Sequence, residues 1–338
     1  MTRTKSALAL LLACGALLPA RAATWYVATN GSDAATGTTW AEAKQTIQAA
    51  VDLAAAGDTV LVSNGVYATG VTVTPGFESS NRVVITKNIH VRSVNGPGVT
   101  SIRGLNAGGS SNATLNVRCV FITNGLLAGF TLTNGAAPRL ASTDVDSCGG
   151  GAWARGGLLT NCVIAGNASR LKGGGVYEGR LINCTNSGNT ATRTRTASGS
   201  GGGPNGSTLI NCVVSSNKAV FGGGCYYGIL SNCTVRGNAA AQDGGGVSRV
   251  NPMVNCVLWG NSAGRDGGGV NGITNDEMDN CTVYGNTAGQ RGGGTFGLTV
   301  RNCIVYFNAS GMFGPNVNGS FVDYTCNTPL PSMGFGNF

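Results

Sequence analysis

The stretch "NCTVYGNTAGQRGGG" (residues 280–294) joins an Asn-Cys pair, a second asparagine five residues past the cysteine, and three consecutive glycines. Each piece alone suggests chemistry: a thiol ligand or nucleophile, a glycosylation acceptor at Asn280-Cys281-Thr282, a glycine loop that cradles phosphate. Repetition decides otherwise. Asn-Cys recurs with its cysteine at 162, 184, 212, 233, 256, 281 and 303, in steps of 22, 28, 21, 23, 25 and 22 residues. Asn167, Asn189, Asn217, Asn238, Asn261, Asn286 and Asn308 each follow a cysteine by five, and triple glycines begin at 149, 173, 201, 222, 244, 267 and 292. Seven copies with a fixed internal offset define a solenoid.

The kind of coil follows from the pattern inside a copy. In "LSNCTVRGN" the apolar Leu230, Cys233 and Val235 fall on one side if the chain bends at Asn232, which turns Thr234 and Arg236 outward. Short alternating runs broken by Gly and Asn are strands, and no copy has room for an amphipathic helix. About 22 residues with three short strands and three bends make one coil of a right-handed parallel β-helix, whose strands pair about 4.8 Å apart along the axis. Leucine-rich repeats have a similar length, but their leucine-dense consensus is absent. The expected fold is all-β, a right-handed parallel β-helix with a short N-terminal capping α-helix. In "TTWAEAKQTIQAAVDLAAAGD", Thr39 and Glu42 read as a capping box, and Trp40, Ile47, Val51 and Ala54 as one helical face that shields the exposed first edge. The expected organisation is a signal peptide over 1–22, a cap over 23–59, irregular coils over 60–147, regular repeats over 148–310 and a truncated C-terminal segment over 311–338.

Composition narrows the function. Glycine is abundant at 56 residues and charged residues make up 11% of the chain, so a rod built on backbone and small aliphatics suits it better than an ordinary core. The single histidine, His90, sits between Ile89 and Val91 and belongs on an outer face; a multi-histidine metal site is excluded. "MTRTK", an apolar "SALALLLACGALL" and "PARAA" read as an export signal cleaved after Ala22. "LLAC" offers the alternative of a lipidated Cys14. Removal of Arg3, Lys5 and Arg21 lowers the net charge from +8 to +5, a mildly basic surface that favours acidic polymers. Export permits disulfides, but eleven cysteines remain after cleavage, an odd number.

At this point a resemblance becomes specific. "TWYVATNGSDAATGTTWAEAKQTIQAAVDLAAAGDTVLVSNGVY" looks like the N-terminal cap of secreted bacterial pectin-lyase-like β-helix proteins, and the "GGGV…NCTVYGN" copies resemble the repeats of polymorphic outer membrane proteins. The resemblance spans the mature chain. It implies the fold, export and a bacterial surface or extracellular location, and hardly any activity, because that superfamily mixes enzymes with surface proteins. Such proteins commonly continue beyond a segment like "YTCNTPLPSMGFGNF" into a sorting or anchoring region, so the resemblance reads this chain as a fragment, attached to a membrane only through that missing anchor or a lipidated Cys14.

Against the frame, most repeated residues are architecture. Cys162, Cys184, Cys212, Cys233, Cys256, Cys281 and Cys303 should stack inward as small hydrophobes, since a zinc site needs converging ligands and only Cys225 lies near a sister, eight residues before Cys233. Cys119, Cys148, Cys225 and Cys326 lie off that ladder and are the better candidates for a bridge. Asn161, Asn183, Asn211, Asn232, Asn255, Asn280 and Asn302 should form an amide ladder at the bend, with a second at Asn167 through Asn308. The triple glycines lack the following helix and Lys-Ser/Thr of a phosphate loop and read as turns.

Function is then sought in what varies. The loops before the triple glycines carry Arg170, Lys172, Arg193, Arg195, Lys218, Asp243, Arg265, Asp266 and Arg291. Two residues past each triple glycine come Trp153, Tyr177, Asn205, Tyr226, Ser248, Asn271 and Phe296, read as facing outward. Arg170, Lys172, Arg193, Arg195, Trp153, Tyr177 and Tyr226 are the glycan-binding candidates, because rings stack on sugars and guanidinium groups grip carboxylates. The alternative is a calcium-dependent polysaccharide lyase. Lyases of this fold hold calcium on carboxylates of adjacent coils and use Arg or Lys as base, which nominates Asp243, Asp266, Arg265 and Arg291. Two acids are thin for calcium, ion pairs explain them more simply, and "NDEMD" reads as a solvated loop. The expectation is an exported, monomeric display, adhesion or glycan-binding protein with a polysaccharide partner. It takes no nucleic acid and no cofactor, and Ca2+ enters only under the lyase alternative.

Overall fold

In the computed structural model the described residues are 22–108, 115–137, 144–191 and 199–327. They wind into the expected right-handed parallel β-helix. The export signal with Cys14, the loop residues Arg193 and Arg195, and the chain after 327 lie outside the described residues. Among the described residues there are three sheets, of 20, 11 and 7 strands, the third spanning only the coils from Ala168–Ser169 to Ala309–Ser310. Strand partners are parallel from coil to coil, save Thr72–Val73, which runs antiparallel to Ser80–Ile85 in the irregular N-terminal part. The register holds except for a shift between Gly228 and Leu230, where Cys225–Ser231 meets Val247–Val254.

One coil shows how sequence becomes shape. Glycines 222–224 lead into Cys225–Ser231 of the first sheet. The chain turns at Asn232 (φ 54°), crosses the second sheet as Thr234–Arg236, turns at Gly237 (φ 61°) and enters the third sheet as Ala239–Ala240. Cys225, Leu230, Cys233 and Val235 point inward and are buried, as the alternation predicts. Apolar side chains stack on their own kind in neighbouring coils, so the core is one column several layers long.

The three glycines serve three different purposes. The first takes a left-handed backbone that an L side chain rarely adopts, as at Gly244 (φ 68°). The second lets two sheets meet backbone to backbone: a Cβ at Gly223 would lie 2.4 Å from the Ala239 carbonyl oxygen. The third makes room for an amide, since a Cβ at Gly246 would lie 3.1 Å from Asn261 Nδ2. A motif that resembles a phosphate loop is thus the thin edge of a coil.

The asparagines divide differently from the expectation. The continuous ladder is the series from Asn167 to Asn308, buried, each residue donating through backbone N–H and side-chain amide to the next. The series from Asn161 to Asn302 supplies the left-handed bend at every copy, with φ between 50° and 55°. Only scattered amide links join it, such as Asn232 to Asn211 at 3.2 Å. A bend that faces water can leave its amides solvated; a bend that faces the core cannot.

The seven repeat cysteines stack inward as expected, with the Cys256, Cys281 and Cys303 sulfurs accepting from the N–H of the preceding coil's cysteine at 3.3–3.5 Å. Cys119, Cys148, Cys225 and Cys326, named above as bridge candidates, form no disulfide with any described cysteine. Cys119 lies beneath Thr133 and Asn167, and Cys148 belongs to a cluster outside the coils, so these sulfurs have other neighbours.

The cap is also shorter than predicted. Its helix is Ile47–Leu53, N-capped by Thr46, whose hydroxyl accepts from Ala49 N–H at 3.3 Å. Thr39 and Glu42 form only a turn, and Trp40 stays exposed, edge-on to Tyr26 at 4.8 Å. Asp33 explains the late start: its carboxylate takes the N–H groups of Gln45 and Thr46 and the Thr46 hydroxyl, fixing the helix entry there. "NDEMD" is no solvated loop either. Glu277–Asp279 is a strand, Met278 is core, and Asp276 is buried with a carboxyl pushed up by desolvation and held by Ile273 N–H at 3.0 Å.

Candidate glycan-binding surface

The loop before each triple glycine folds back so that its last residue stacks on the last residue of the next loop. Backbone bridges link Lys172 to Ser200 to Phe221, and Asp266 to Arg291 to Phe313. The residues two past the glycines form a second column on the first sheet's outer face, Trp153 paired with Tyr177, Tyr177 with Asn205, and Asn205 with Tyr226. The two columns meet. Lys172 Nζ lies 5.7 Å from the Tyr177 ring centre, Phe221 lies 6.4 Å from Tyr226, and the Arg291 guanidinium sits 4.5 Å over Phe296.

Trp153 departs from the expectation that it faces outward. It is 7% exposed, stacked at 15° on Phe121 with centroids 4.7 Å apart, under Leu171 and beside Val84, Cys148 and Tyr177. The segment around Cys148 and Leu171 closes over this face and makes a small apolar cluster outside the coils. Trp153 is therefore unavailable as a stacking platform, and Tyr177 and Tyr226 remain half-buried at the surface. Arg170 and Lys172 are half-buried as well.

The lyase candidates come together, but as partners. Asp243 takes Arg265 on both oxygens, with Nε at 2.7 Å, and Asp266 takes Arg291 at 3.0 and 2.6 Å. Arg265 Nε also lies 3.8 Å from Asp266. Both carboxylates are buried on their loop sides, and each is occupied by a two-pronged guanidinium. The hydrogen bond to Asp243 pushes the Arg265 guanidinium above its ordinary value, and that to Asp266 does the same for Arg291. A proton-abstracting base needs the opposite shift. Among the described residues no three acids, histidines or cysteines converge as a metal site.

The sequence missed the next cluster, one residue further along. Tyr227 and Arg249 occupy adjacent coils, and Arg249 Nη1 donates to the Tyr227 hydroxyl at 2.9 Å with its guanidinium 5.8 Å from the ring centre. Tyr226 stands edge-on to Tyr227 at 4.7 Å, and Phe221 lies behind it. Both Tyr227 (φ 50°) and Arg249 (φ 55°) are exposed and in left-handed backbone, at a register position filled by Gly206, Gly297 and Gly319 in other coils and by Glu178 (φ 56°) in one more. The available signal was a large side chain where sister coils carry glycine.

No family model and no curated protein matches the chain. Among solved structures it is similar to pectate lyase Pel9A, 18% identical over 87% of this chain and 78% of that one, with a TM-score of 0.54. It is also similar to a rhamnogalacturonan lyase, 15% identical over 90% of this chain and 87% of that one, with a TM-score of 0.47. At 18% identity the likeness to the pectate lyase establishes the shared β-helix fold.

Proposed function

We propose that the chain is an exported β-helix that binds an acidic polysaccharide along the outer face of its first sheet and does not cleave it, serving display or adhesion at a cell surface. The observation that carries this reading is the pair Tyr227 and Arg249. A left-handed backbone costs an ordinary residue roughly 1–2 kcal/mol; glycine stands at the equivalent position as Gly206, Gly297 and Gly319, and one other coil carries Glu178 there at φ 56°. On two neighbouring coils the frame thus bears this strain to present a phenol and a guanidinium side by side, as binding sites do. The phenol supplies a stacking face. One of the five guanidinium donors is used on Tyr227, and the exposed remainder suits a uronate carboxylate. Tyr226, Phe221, Phe296 and Arg291 extend the same face along the axis. The net charge favours an acidic polymer, and a β-helix relative named for pectate accords with one. The role of Arg193 and Arg195, and export itself, belong to this reading too.

Affinity electrophoresis in gels containing polygalacturonate tests it. The wild-type chain should be retarded, and the double variant Tyr227→Gly with Arg249→Gly should migrate freely while unfolding at a higher temperature. Undiminished retardation of the double variant sinks the reading. Ultraviolet absorbance from unsaturated uronate, dependent on calcium and lost in Asp266→Ala, would instead establish the lyase alternative.

A further inference from the structure

The second sheet carries a feature that none of the loop chemistry uses. Its strands are three residues long with the middle residue buried, so the third residue of each faces out, and these residues stack in register. Arg103, Thr133, Ala165, Ser187 and Ser215 come first along that column. Then, on four successive coils, come Arg236, Trp259, Tyr284 and Tyr306. The same backbone position is served equally well by alanine and serine, so the fold itself does not ask for rings. Trp259 and Tyr284 are 36% and 40% exposed, with planes 12° apart and centroids 6.2 Å apart. Given coils about 4.8 Å apart, near-parallel rings at that centroid distance are offset by roughly 4 Å or more, which leaves much of each ring face uncovered by the other.

A second observation points the same way. The residue after the column is a left-handed glycine in most coils, as at Gly237, Gly260 and Gly285, with φ of 61–63°. In the last aromatic coil it is Phe307, held at φ 53°, 81% exposed and edge-on to Tyr306 at 4.9 Å. A bulky side chain in strained backbone, turned into water beside a row of rings, is not explained by packing.

We propose that this column is a second binding face, and that its ligand is an unbranched neutral polysaccharide lying along the rod axis with its pyranose rings on Trp259, Tyr284 and Tyr306. The stripe is one side chain wide and four coils long, with exposed Val257 and Ile304 beside it on the same strands. A stable protein partner or a second copy of the chain needs about 800 Å² on each side, far broader than this stripe, whereas a sugar chain is one ring wide and repeats close to the coil spacing. Neutrality follows from the charges: the four-coil column carries a single guanidinium, Arg236, already 5.6 Å over Trp259. This proposal is independent of the one for the first sheet.

The test runs full-length protein through native gels containing hydroxyethylcellulose, mixed-linkage β-glucan or glucomannan, with polygalacturonate alongside. The variants are Trp259→Ser with Tyr284→Ser, which takes the side chain of Ser187 and Ser215, and separately Phe307→Gly. Wild type should be retarded by at least one neutral polymer, the serine variant should bind it at least about tenfold more weakly, and Phe307→Gly should bind more weakly while unfolding at a higher temperature. The Tyr227→Gly, Arg249→Gly variant should keep its neutral-polymer retardation, which separates failure of this face from failure of the other. Absence of retardation by all three neutral polymers overturns the proposal, as does equal retardation of the serine variant. Sedimentation that finds a wild-type dimer and a monomeric serine variant also overturns it, in favour of a second copy as the occupant.

Discussion

Asn217 grips Asn238 twice: its backbone N–H and its side-chain amide both donate to Asn238 Oδ1, at 2.9 and 3.0 Å. Asn238 in turn donates to Val214 O and to Asn261 Oδ1, so every polar atom of this buried amide is used. Asn238→Ala strands the Asn217 N–H in a dry interior. The expected loss is about 2–3 kcal/mol in urea unfolding. Asn238→Asp, which keeps the acceptor but sets a carboxylate against Asn261 Oδ1, should be worse at neutral pH than in acid.

One coil breaks the core rule in the opposite sense. Asn186 occupies the inward position that Val214 and Val235 fill nearby, and its Nδ2 has no partner among the described residues. Its oxygen accepts from Asn189 Nδ2 at 2.7 Å, but Asn189 keeps two other acceptors, Ile164 O and Asn217 Oδ1. Asn186→Val should therefore stabilise the rod by about 1–2 kcal/mol, read as a higher urea midpoint at unchanged m-value.

Asp58 ties three parts of the cap together, accepting from Trp25 Nε1 at 3.0 Å, Ala55 N–H at 2.8 Å and Ala23 N–H at 2.7 Å. The hydrogen bond from Trp25, then that from Ala55, holds its carboxyl below the usual aspartate value. A lowered folded value means that its stabilisation is fully present above the unfolded value, about 3.9, and is lost as pH falls through the folded one. Trp fluorescence on acidification should report the cap loosening below about pH 4, and Asp58→Asn should remove that transition at a cost of about 1–3 kcal/mol.

Arg118 is the largest wholly buried side chain, donating to Gly149 O at 2.8 Å, Cys148 O at 2.9 Å and Asn81 Oδ1 at 2.8 Å. Burial brings its guanidinium down to about 10. It joins the irregular coils to the first regular one. Arg118→Met should cost about 3–5 kcal/mol, and proteolysis at low protease concentration should cut first near Cys148 and Gly149, whose carbonyls it holds.

Desolvation pushes the Cys119 and Cys225 thiols up to about 12, and every described cysteine but Cys326 is buried. Ellman's reagent at pH 8 should titrate Cys326 in the folded chain and reach the other ten described thiols only in guanidinium. Reaction of the ladder thiols under native conditions would contradict the packing.

The frame was legible because its rules repeat. A cysteine that recurs with the same neighbours seven times can only be scaffold, and the inward placement of Leu230, Cys233 and Val235 follows from alternation alone. What escaped depends on contacts across coils. Trp153 looked exposed by parity and is buried because a distant segment closes over it. The two asparagine series look alike in sequence, yet one faces core and the other solvent. The Asp–Arg pairs were foreseeable from register, whereas Tyr227, Arg249 and the Trp259 column lie on strands and bends, outside the variable loops. Their shared signal is a large residue where sister coils carry a small one.

The inner asparagine ladder has a direction. From Gly135 N–H onto Asn167, and onward through Asn189 to Asn308 and Asn316, each bond between successive members is donated from the N-terminal side and accepted on the C-terminal side. Aligned in this way, the amide dipoles polarise one another and add along the axis. The rod is therefore an arrow rather than a bar. A coil joined at one end must bring an acceptor at that register and a coil at the other must bring a donor, so insertions and deletions of whole coils preserve the chain of bonds while inversions cannot. Two rods meeting head to head would present like groups, which confines any growth or stacking of this architecture to a single sense.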